Sequence, residues 1–323
     1  MAEEYDTLRR GCGLVDLSCS GRLELAGADR QRFLNAYVTC DVKSLAAGEG
    51  AYGFLTSAQG RILADLSVLV HGEHLWVGLP AGQEEAAAGH LRKFLIADRV
   101  EIRPLGGLLQ VALVGPQAAT VLEGAAAAPP DSPWRHARAT LGGIEVTVVR
   151  AGRFGVAAYT LWVARDSAEA LCGWLLGREG VKPVGFEALE AVRAEAGIPR
   201  FGREFGPHSF PQETGIEDAV SYTKGCYLGQ EVVARIHYRG GVQKLLRGLA
   251  FAAGAPPPAP GTPLLHEGRE AGRVGTALES PALGKPVGLA IVHRRAAVAG
   301  TRLELGTGGE AEVRELPLLG EPV

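Results

Sequence analysis

The run of residues 224–231 is the part of the sequence best suited to chemistry. It reads Lys-Gly-Cys-Tyr-Leu-Gly-Gln-Glu and places a thiol, a cation, a carboxylate, an amide and a phenol side by side. No amphipathic helix or strand requires such a run, and its glycines permit tight turns with positive φ. A lysine near Cys226 favours the ionised thiol, because a nearby positive charge stabilises a thiolate. The run therefore predicts a loop that performs chemistry or holds a polar ligand.

The segment that follows the run alternates apolar and polar residues from position 232 to position 236, which predicts a strand. On a strand, Arg235, His237 and Arg239 would share one face, because side chains repeat every two residues. Such a face could hold an anion, for example a carboxylate or a phosphate. The alternative is an ordinary solvated strand face.

Two carboxylates stand out elsewhere in the chain. Asp65 interrupts an otherwise apolar predicted strand at residues 60–70, so it faces either a cavity or solvent. Glu195 lies in the last turn of a predicted helix over residues 186–196, which Gly197 ends. The alternative for Glu195 is a solvated side chain.

Composition narrows the class of protein. The chain has 323 residues, of which 46% are hydrophobic and 21% charged, and this balance predicts a folded core. The net charge of -3 argues against a general nucleic-acid binder, whose domain is normally basic. The N-terminus lacks the pattern of a secretory signal, and no apolar stretch is long enough to cross a bilayer. We therefore expect a cytoplasmic protein without membrane or direct nucleic-acid partners.

The cysteines and glycines give no local motif for a metal or a nucleotide. The five cysteines include no Cys-x-x-Cys pair, and the histidines are scattered, so we predict no metal site. No dinucleotide-binding or phosphate-binding glycine motif is present. Four cysteines are interpreted as small buried hydrophobic residues: Cys12, Cys19, Cys40 and Cys172.

The order of patterns predicts two domains. Helix-like and strand-like segments alternate over residues 1–245, which indicates an α+β body. Short apolar runs separated by glycines over residues 246–323 predict a small antiparallel barrel or sandwich. The Pro/Gly/Ala-rich segment 252–261 is a linker or a long turn. By default we expect a monomer.

The run at 224–231, with Val-Ala-Arg at 233–235 and Tyr-Arg-Gly at 238–240, resembles the signature of the YgfZ family of folate-binding proteins. That family shares a superfamily with the glycine cleavage T-protein, an aminomethyltransferase. Further segments that resemble superfamily landmarks lie at residues 15–18, 33–34, 39–42, 60–68, 114–116 and 193–199.

The resemblance implies a fold and a role. The fold is a ring of α+β subdomains around a central folate pocket, closed by a C-terminal antiparallel β-barrel. The role is that of a tetrahydrofolate-binding accessory protein that supports iron–sulfur cluster assembly or repair, including in radical enzymes that modify tRNA. The expected ligand is tetrahydrofolate or a one-carbon derivative, and the expected partners are iron–sulfur enzymes or assembly proteins.

The resemblance also implies site residues. Glu195 matches the glutamate with which T-proteins hold the pterin ring, and Asp65 matches the second of two adjacent aspartates that include the T-protein catalytic acid. The first of these is Ala64 here. The predicted catalytic residues are Cys226, Lys224 and Asp65. The predicted ligand-binding residues are Glu195, Tyr227, Gln230, Arg235 and Arg239, with either arginine receiving an anionic folate tail.

Alternatives to the accessory role stay open at this stage. A folate-dependent aminomethyltransferase, or another one-carbon transferase of the T-protein type, is favoured by Glu195 and Asp65. A scaffold that kept the fold and lost the ligand is the third reading. The thiol of Cys226 would carry a one-carbon unit, bind iron or form a disulfide, and the sequence does not choose among these.

Overall fold

The computed structural model describes residues 1–125 and 128–320. Short strands separated by helices make up the body, and the strands in chain order are β1 (Cys12–Asp16), β2 (Gly21–Ala26), β3 (Gly50–Thr56), β4 (Ile62–Val70), β5 (His74–Leu79), β6 (Glu101–Pro104), β7 (Leu108–Val114), β8 (His136–Leu141), β9 (Ile144–Ala151), β10 (Ala158–Ala164) and β11 (Val181–Pro183). The helices are α1 (Ala2–Arg10), α2 (Arg30–Asn35), α3 (Glu84–Arg92), α4 (Ala118–Gly124), α5 (Ala168–Leu176), α6 (Phe186–Glu195) and α7 (Gln230–Arg239).

The body strands form two sheets. Sheet I has the order β3-β4-β5-β2-β6, and sheet II has the order β11-β1-β7-β10-β9-β8. The outer face of sheet I packs on α2 and α3 through residues such as Leu25, Phe33 and Leu91. The outer face of sheet II packs on α4 and α5 through Leu122 and Leu171. The inner faces of the two sheets lie opposite each other, and this arrangement leaves a cavity between them.

The C-terminal strands close into an antiparallel barrel. Its members are β12 (Lys244–Phe251), β13 (Pro263–His266), β14 (Arg269–Ser280), β15 (Lys285–His293), β16 (Arg302–Leu305) and β17 (Glu310–Arg314). β17 pairs back onto β12, which completes the barrel. The proline-rich segment 252–261 connects β12 to β13, two strands of the same barrel. It is therefore a long turn within the barrel domain rather than a linker between domains. Among the described residues, no helix is both long and apolar enough to span a bilayer.

Three histidines meet where the β4–β5 hairpin of sheet I touches β8 of sheet II. The ring centroids of His71 and His136 are 4.6 Å apart, and those of His71 and His74 are 5.1 Å apart. Within the described ranges, the Nε2 atoms of all three rings are buried and have no hydrogen-bond partner. Burial lowers the pKa of His71 to about 3, helped by His136, His74 and Arg138, and burial also lowers the pKa of His136.

This histidine junction predicts sensitivity to acid. An unfolded histidine has a pKa of about 6.5, so the unfolded chain binds more protons than the native chain between about pH 6.5 and pH 3. The stability that depends on these neutral histidines is therefore fully present above about pH 6.5, and it is lost as the pH drops through this window. We expect the free energy of unfolding to be about 2 kcal/mol lower at pH 5 than at pH 7.5. Urea unfolding of wild type and His71→Gln at both pH values measures this difference. The free energy of unfolding of the variant should fall by clearly less between pH 7.5 and pH 5. An equal loss in both proteins would contradict the assignment.

Candidate functional site

A cavity of about 560 Å³ lies between the inner faces of the two sheets. Its size falls within the range of small-molecule sites. Sheet I contributes Tyr52, Asp65 and Ser67 to its wall, and sheet II contributes Gln110 and Trp162. A side chamber of about 190 Å³ shares part of this wall and extends towards Arg153, Glu190 and Arg193.

Asp65 is the carboxylate of the cavity wall. The alternation of β4 buries Ala64 and Leu66 in the outer core and turns Asp65 inwards, so of the two sequence alternatives the structure selects the cavity. The Tyr52 hydroxyl donates a hydrogen bond to Oδ2 of Asp65 at 2.6 Å. The other carboxylate oxygen of Asp65, Oδ1, is buried and has no hydrogen-bond partner among the described residues. Burial raises the pKa of Asp65, and the hydrogen bond from Tyr52 only partly offsets this.

Aromatic rings form the walls next to Asp65. Tyr52 stacks on Trp134 with ring centroids 5.5 Å apart and planes 16° apart, and the Arg153 guanidinium lies 4.2 Å from the centre of the Tyr52 ring. Trp134 has a φ of 66°, a left-handed conformation that is uncommon for a bulky side chain and is often found at functional sites. Its backbone N–H donates to the Arg150 carbonyl at 2.8 Å, which helps to hold it in place. These walls suit a flat ring.

The surroundings of Lys224 indicate a structural role. Its ammonium group is buried and donates to the carbonyl oxygens of Asn35, Val38 and Cys40 at 2.6, 2.8 and 2.7 Å. Burial lowers the pKa of Lys224 to about 8, although only the charged form can donate to all three carbonyls at once. The Lys224 side chain therefore links the 224–231 run to the loop after α2 by hydrogen bonds. Its ammonium group is directed at these three carbonyls.

Replacement of Lys224 by methionine should destabilise the fold. Three buried carbonyls would lose their donor, and each unsatisfied group costs about 1–3 kcal/mol before relaxation and water entry. We expect the free energy of unfolding to fall by about 2–4 kcal/mol, measured by urea denaturation. Lys43→Met, at an exposed lysine in the same region, is the matched control and should change it by less than about 0.5 kcal/mol. An unchanged stability in Lys224→Met would refute the structural role.

The rest of the 224–231 run lies outside the cavity walls. Cys226 is exposed, whereas the Tyr227 ring is buried and its hydroxyl has no partner in the described parts of the chain. The Gln230 side-chain oxygen accepts the backbone N–H of Tyr227 at 3.2 Å. Gly229 has a φ of 86°, and a Cβ there would lie 2.4 Å from the Ser57 carbonyl, so only glycine fits. Gly229 thus serves close backbone packing, whereas a Cβ at Gly225 would meet nothing within 4 Å.

The predicted strand after the run is wrong, because residues 230–239 form helix α7. Arg235 pairs with Glu231 at 3.1 Å across one helical turn, and Arg239 is exposed. His237 stacks on Tyr222 with centroids 3.8 Å apart. The helix therefore does not present the three basic residues on one strand face, and none of them is in the wall of the central cavity.

Glu195 is fully buried at the junction of the body and the barrel. Tyr5 on α1 donates to one carboxylate oxygen, and Ser280 on β14 donates to the other at 2.5 Å. The backbone carbonyl of Glu195 accepts the N–H of Leu318 at 2.8 Å. Glu195 is not in the wall of the central cavity or its side chamber. This position argues against the predicted contact with a pterin.

The cavity contains residues that the sequence did not single out. Tyr52, Trp134, Gln110 and Arg153 come from distant segments and carry no local motif. Cys19 was expected to be buried, but it is exposed and lies in the cavity wall, because it follows β1 in the turn to β2. Cys12 and Cys40 are buried as expected, and Cys172 is half-buried. In the described ranges, no cluster of histidine, cysteine or acidic residues is arranged to hold a metal ion.

The sequence matches known families over most of its length. Residues 1–224 match the GCVT N-terminal domain, and residues 244–319 match the glycine cleavage T-protein C-terminal barrel domain. An aminomethyltransferase of Moorella thermoacetica is 30% identical over 319 residues, which cover 96% of this chain and 84% of the relative. An aminomethyltransferase of Exiguobacterium sibiricum is 29% identical over 300 residues, which cover 90% of this chain and 81% of the relative.

A solved structure has the same fold. The glycine cleavage system aminomethyltransferase T from Bartonella henselae aligns with a TM-score of 0.88 at 24% identity, covering 98% of this chain and 89% of that one. The prediction of an α+β fold with a C-terminal antiparallel β-barrel is thereby confirmed.

Proposed function

The chain belongs to the glycine cleavage T-protein family, and from that premise we propose that it binds a reduced folate in the central cavity and transfers a one-carbon unit. The single observation that carries this proposal is Oδ1 of Asp65, a buried acceptor that has no partner among the described residues and lies in the wall of a cavity of suitable size. A buried polar atom without a partner is costly, so a ligand that donates a hydrogen bond to it would be favoured.

The residues around the cavity fit a pterin-containing ligand. The ring nitrogens of a pterin include donors that a carboxylate accepts. The flat faces of Tyr52 and Trp134 offer stacking surface. Bound tetrahydrofolate would supply the secondary amines that carry a one-carbon unit.

Asp65 is the group suited to proton transfer. Burial raises its pKa above that of an ordinary aspartate, and such a rise favours general acid or base catalysis by a carboxyl group. Tyr52 holds the carboxyl group in one orientation through the hydrogen bond to Oδ2 and leaves Oδ1 directed at the ligand. Arg153 beside Tyr52 adds positive charge next to the site and limits the rise in pKa.

Two measurements test this function. Calorimetric titration of the full chain with tetrahydrofolate should give micromolar binding. Incubation with tetrahydrofolate and an aminomethylated carrier protein should yield methylenetetrahydrofolate. Binding without turnover would exclude the transferase activity and leave a folate-binding function. Absence of binding would exclude both and favour a scaffold that has lost the ligand.

A second candidate is the accessory role in iron–sulfur cluster assembly or repair. The observation that favours it is the exposure of Cys226, which lies outside the cavity wall and is accessible to a partner protein rather than to a cavity ligand. Under this proposal the folate in the cavity and the thiol on the surface act at different places on the molecule.

A complementation experiment separates the two candidates. In a strain that lacks this protein, Cys226→Ala should fail to restore the activity of a radical methylthiotransferase, whereas Cys172→Ala, at a half-buried cysteine outside the cavity wall, should restore it. Full restoration by Cys226→Ala would dispose of the accessory role of this thiol. The outcome does not affect the transferase reading, which depends on Asp65.

A further inference from the structure

Building on the proposed function, we propose that Arg22 binds the carboxylate tail of the folate ligand at the end of the cavity opposite Asp65. Arg22 lies on β2 of sheet I, next to residues that line the cavity. No motif or resemblance in the sequence pointed to it. The site would take a ligand with a pterin at one end and an anionic carboxylate at the other.

Arg22 is a buried cation that forms no ion pair among the described residues, although nearby Glu84 and Cys19 partly oppose the lowering of its pKa. The residue is 8% exposed, and its Nη2 donates to the Ser18 carbonyl at 3.2 Å. Its Nε and Nη1 atoms are buried and have no partner among the described residues. The guanidinium of Arg165 is nearby, and its like charge adds to the effect of burial in lowering the pKa of Arg22. An unpaired buried charge is strongly unfavourable, so the position favours an anion.

The strand register places Arg22 on the face that forms the cavity floor. Tyr52 pairs with Ser67, Ser67 with Gly78, and Gly78 with Arg22. Residues directly opposite one another in neighbouring strands share a face of the sheet, so these four residues form one row. The first three members of the row line the cavity, and Arg22 is the next position. Ser20, two residues before Arg22 and on the same face, lines the cavity as well.

The length of this row matches the proposed ligand. Neighbouring strands lie about 4.8 Å apart, so the Cα atoms of Tyr52 and Arg22 are separated by about 14 Å. Tyr52 is bonded to Asp65 at the pterin end. A pterin held there would extend its aminobenzoyl-glutamate chain along the row, and its terminal carboxylates would come close to Arg22.

Gly78 and Gln110 shape the path between the two ends. A Cβ at Gly78 would lie 2.6 Å from the Ser67 hydroxyl oxygen and 3.5 Å from the Trp162 ring, so a side chain there would close the floor. Gln110 is 6% exposed and lines the cavity from the opposite sheet. Its backbone carbonyl accepts the N–H of Leu17 at 3.1 Å, which fixes the turn that contacts Arg22 through Ser18. Arg22 and Gln110 therefore both lie near the end of the cavity that is next to this turn.

Other arginines are less suited to this task. Arg235 and Arg239, the predicted receivers of the tail, are exposed on α7 outside the cavity wall. Arg203 lines the cavity but is exposed, so an ion pair there is weakened by solvent. Arg235 is the matched control, since it is an exposed cation outside the cavity wall that was also predicted to receive the tail.

The experiment compares two ligands and three proteins. Wild type, Arg22→Gln and Arg235→Gln are titrated with tetrahydrofolate and with 6-methyltetrahydropterin, which lacks the tail. We expect Arg22→Gln to bind tetrahydrofolate about 10- to 100-fold more weakly, the range for a hydrogen bond to a charged group. The tail-less pterin should bind wild type and Arg22→Gln with affinities within about twofold of each other, and Arg235→Gln should resemble wild type for both ligands.

A structural role predicts a different result. Without ligand, Arg22→Gln should melt at the same or a higher temperature than wild type, because it removes a buried charge that forms no ion pair among the described residues. Lower thermal stability, an equal loss of affinity for both ligands, or no loss would each overturn the proposal. A tail-specific loss of affinity in Arg235→Gln alone would assign the tail to Arg235 and overturn the proposal too. If wild type binds neither ligand, the proposed function itself fails together with this inference.

Discussion

Asp65→Asn should lower the rate of one-carbon transfer by about 10²- to 10⁴-fold, the range for loss of a general acid or base. Asparagine keeps the size of the side chain and one acceptor oxygen, but it cannot exchange a proton at neutral pH. The measurement is steady-state formation of methylenetetrahydrofolate from an aminomethylated carrier protein. We also expect weaker binding of tetrahydrofolate, because an acceptor of charge-assisted hydrogen bonds is replaced by an amide.

The same substitution should not weaken the fold. The raised pKa means that the native protein holds the Asp65 proton more tightly than the unfolded chain does, so ionisation at neutral pH costs stability. Asp65→Asn removes that cost, and we expect an unchanged or higher melting temperature. Tyr52→Phe is the companion variant: it removes the bond to Oδ2, keeps the ring, and should reduce the rate less. Full activity of Asp65→Asn would mean that this carboxyl group takes no part in the reaction.

Glu195→Ala should have the largest effect on stability, a loss of about 3–5 kcal/mol in the free energy of unfolding. The substitution leaves the buried hydroxyl groups of Tyr5 and Ser280 without an acceptor and opens a void at the junction of α1, α6 and β14. Each unsatisfied group costs about 1–3 kcal/mol, and the void adds to the cost. Chemical denaturation measured at pH 7.5 gives the value directly.

Ligand binding distinguishes this role from the predicted pterin contact. At a temperature where Glu195→Ala remains folded, its affinity for tetrahydrofolate should lie within about threefold of wild type, because Glu195 is outside the cavity wall. The single variants Tyr5→Phe and Ser280→Ala each remove one donor and should cost less than Glu195→Ala. A variant of normal stability that no longer binds folate would restore Glu195 as a ligand residue and refute the structural role.

Local patterns predicted the elements that depend on local signals. The helix predicted over residues 186–196 is α6, and Gly197 after it has a φ of 74°, as a helix-ending glycine does. The strand at residues 60–70 is β4, and its period of two turns Asp65 away from the outer core. The glycine-separated apolar runs near the C-terminus are barrel strands, because each is short and bounded by turns.

The prediction failed where burial and long-range contacts decide the structure. Helix α7 buries only Val233 completely, and its apolar residues Val232, Val233 and Ile236 form a stripe so short that their β-branched side chains suggested a strand. The i,i+4 pair Glu231–Arg235 was the local signal that favoured a helix. Arg22 alternates with apolar residues on β2, and one sequence cannot distinguish the solvent side of such a strand from a side that faces a cavity. Lys224 was read as a partner of Cys226, although it donates to three backbone carbonyls contributed by another segment.

The carboxylate of Glu195 joins residues that are far apart in the chain, which bears on how the protein matures during synthesis. Tyr5 is separated from Glu195 by 190 positions and Ser280 by 85, so the first helix leaves the ribosome long before its final neighbours exist. Contacts between distant positions close slowly and expose apolar surface while they wait. Helix α1 can pack on α6 once residue 195 has been made, but the carboxylate of Glu195 lacks its Ser280 donor until translation has passed β14. Slow translation of the barrel would prolong this vulnerable interval and favour aggregation.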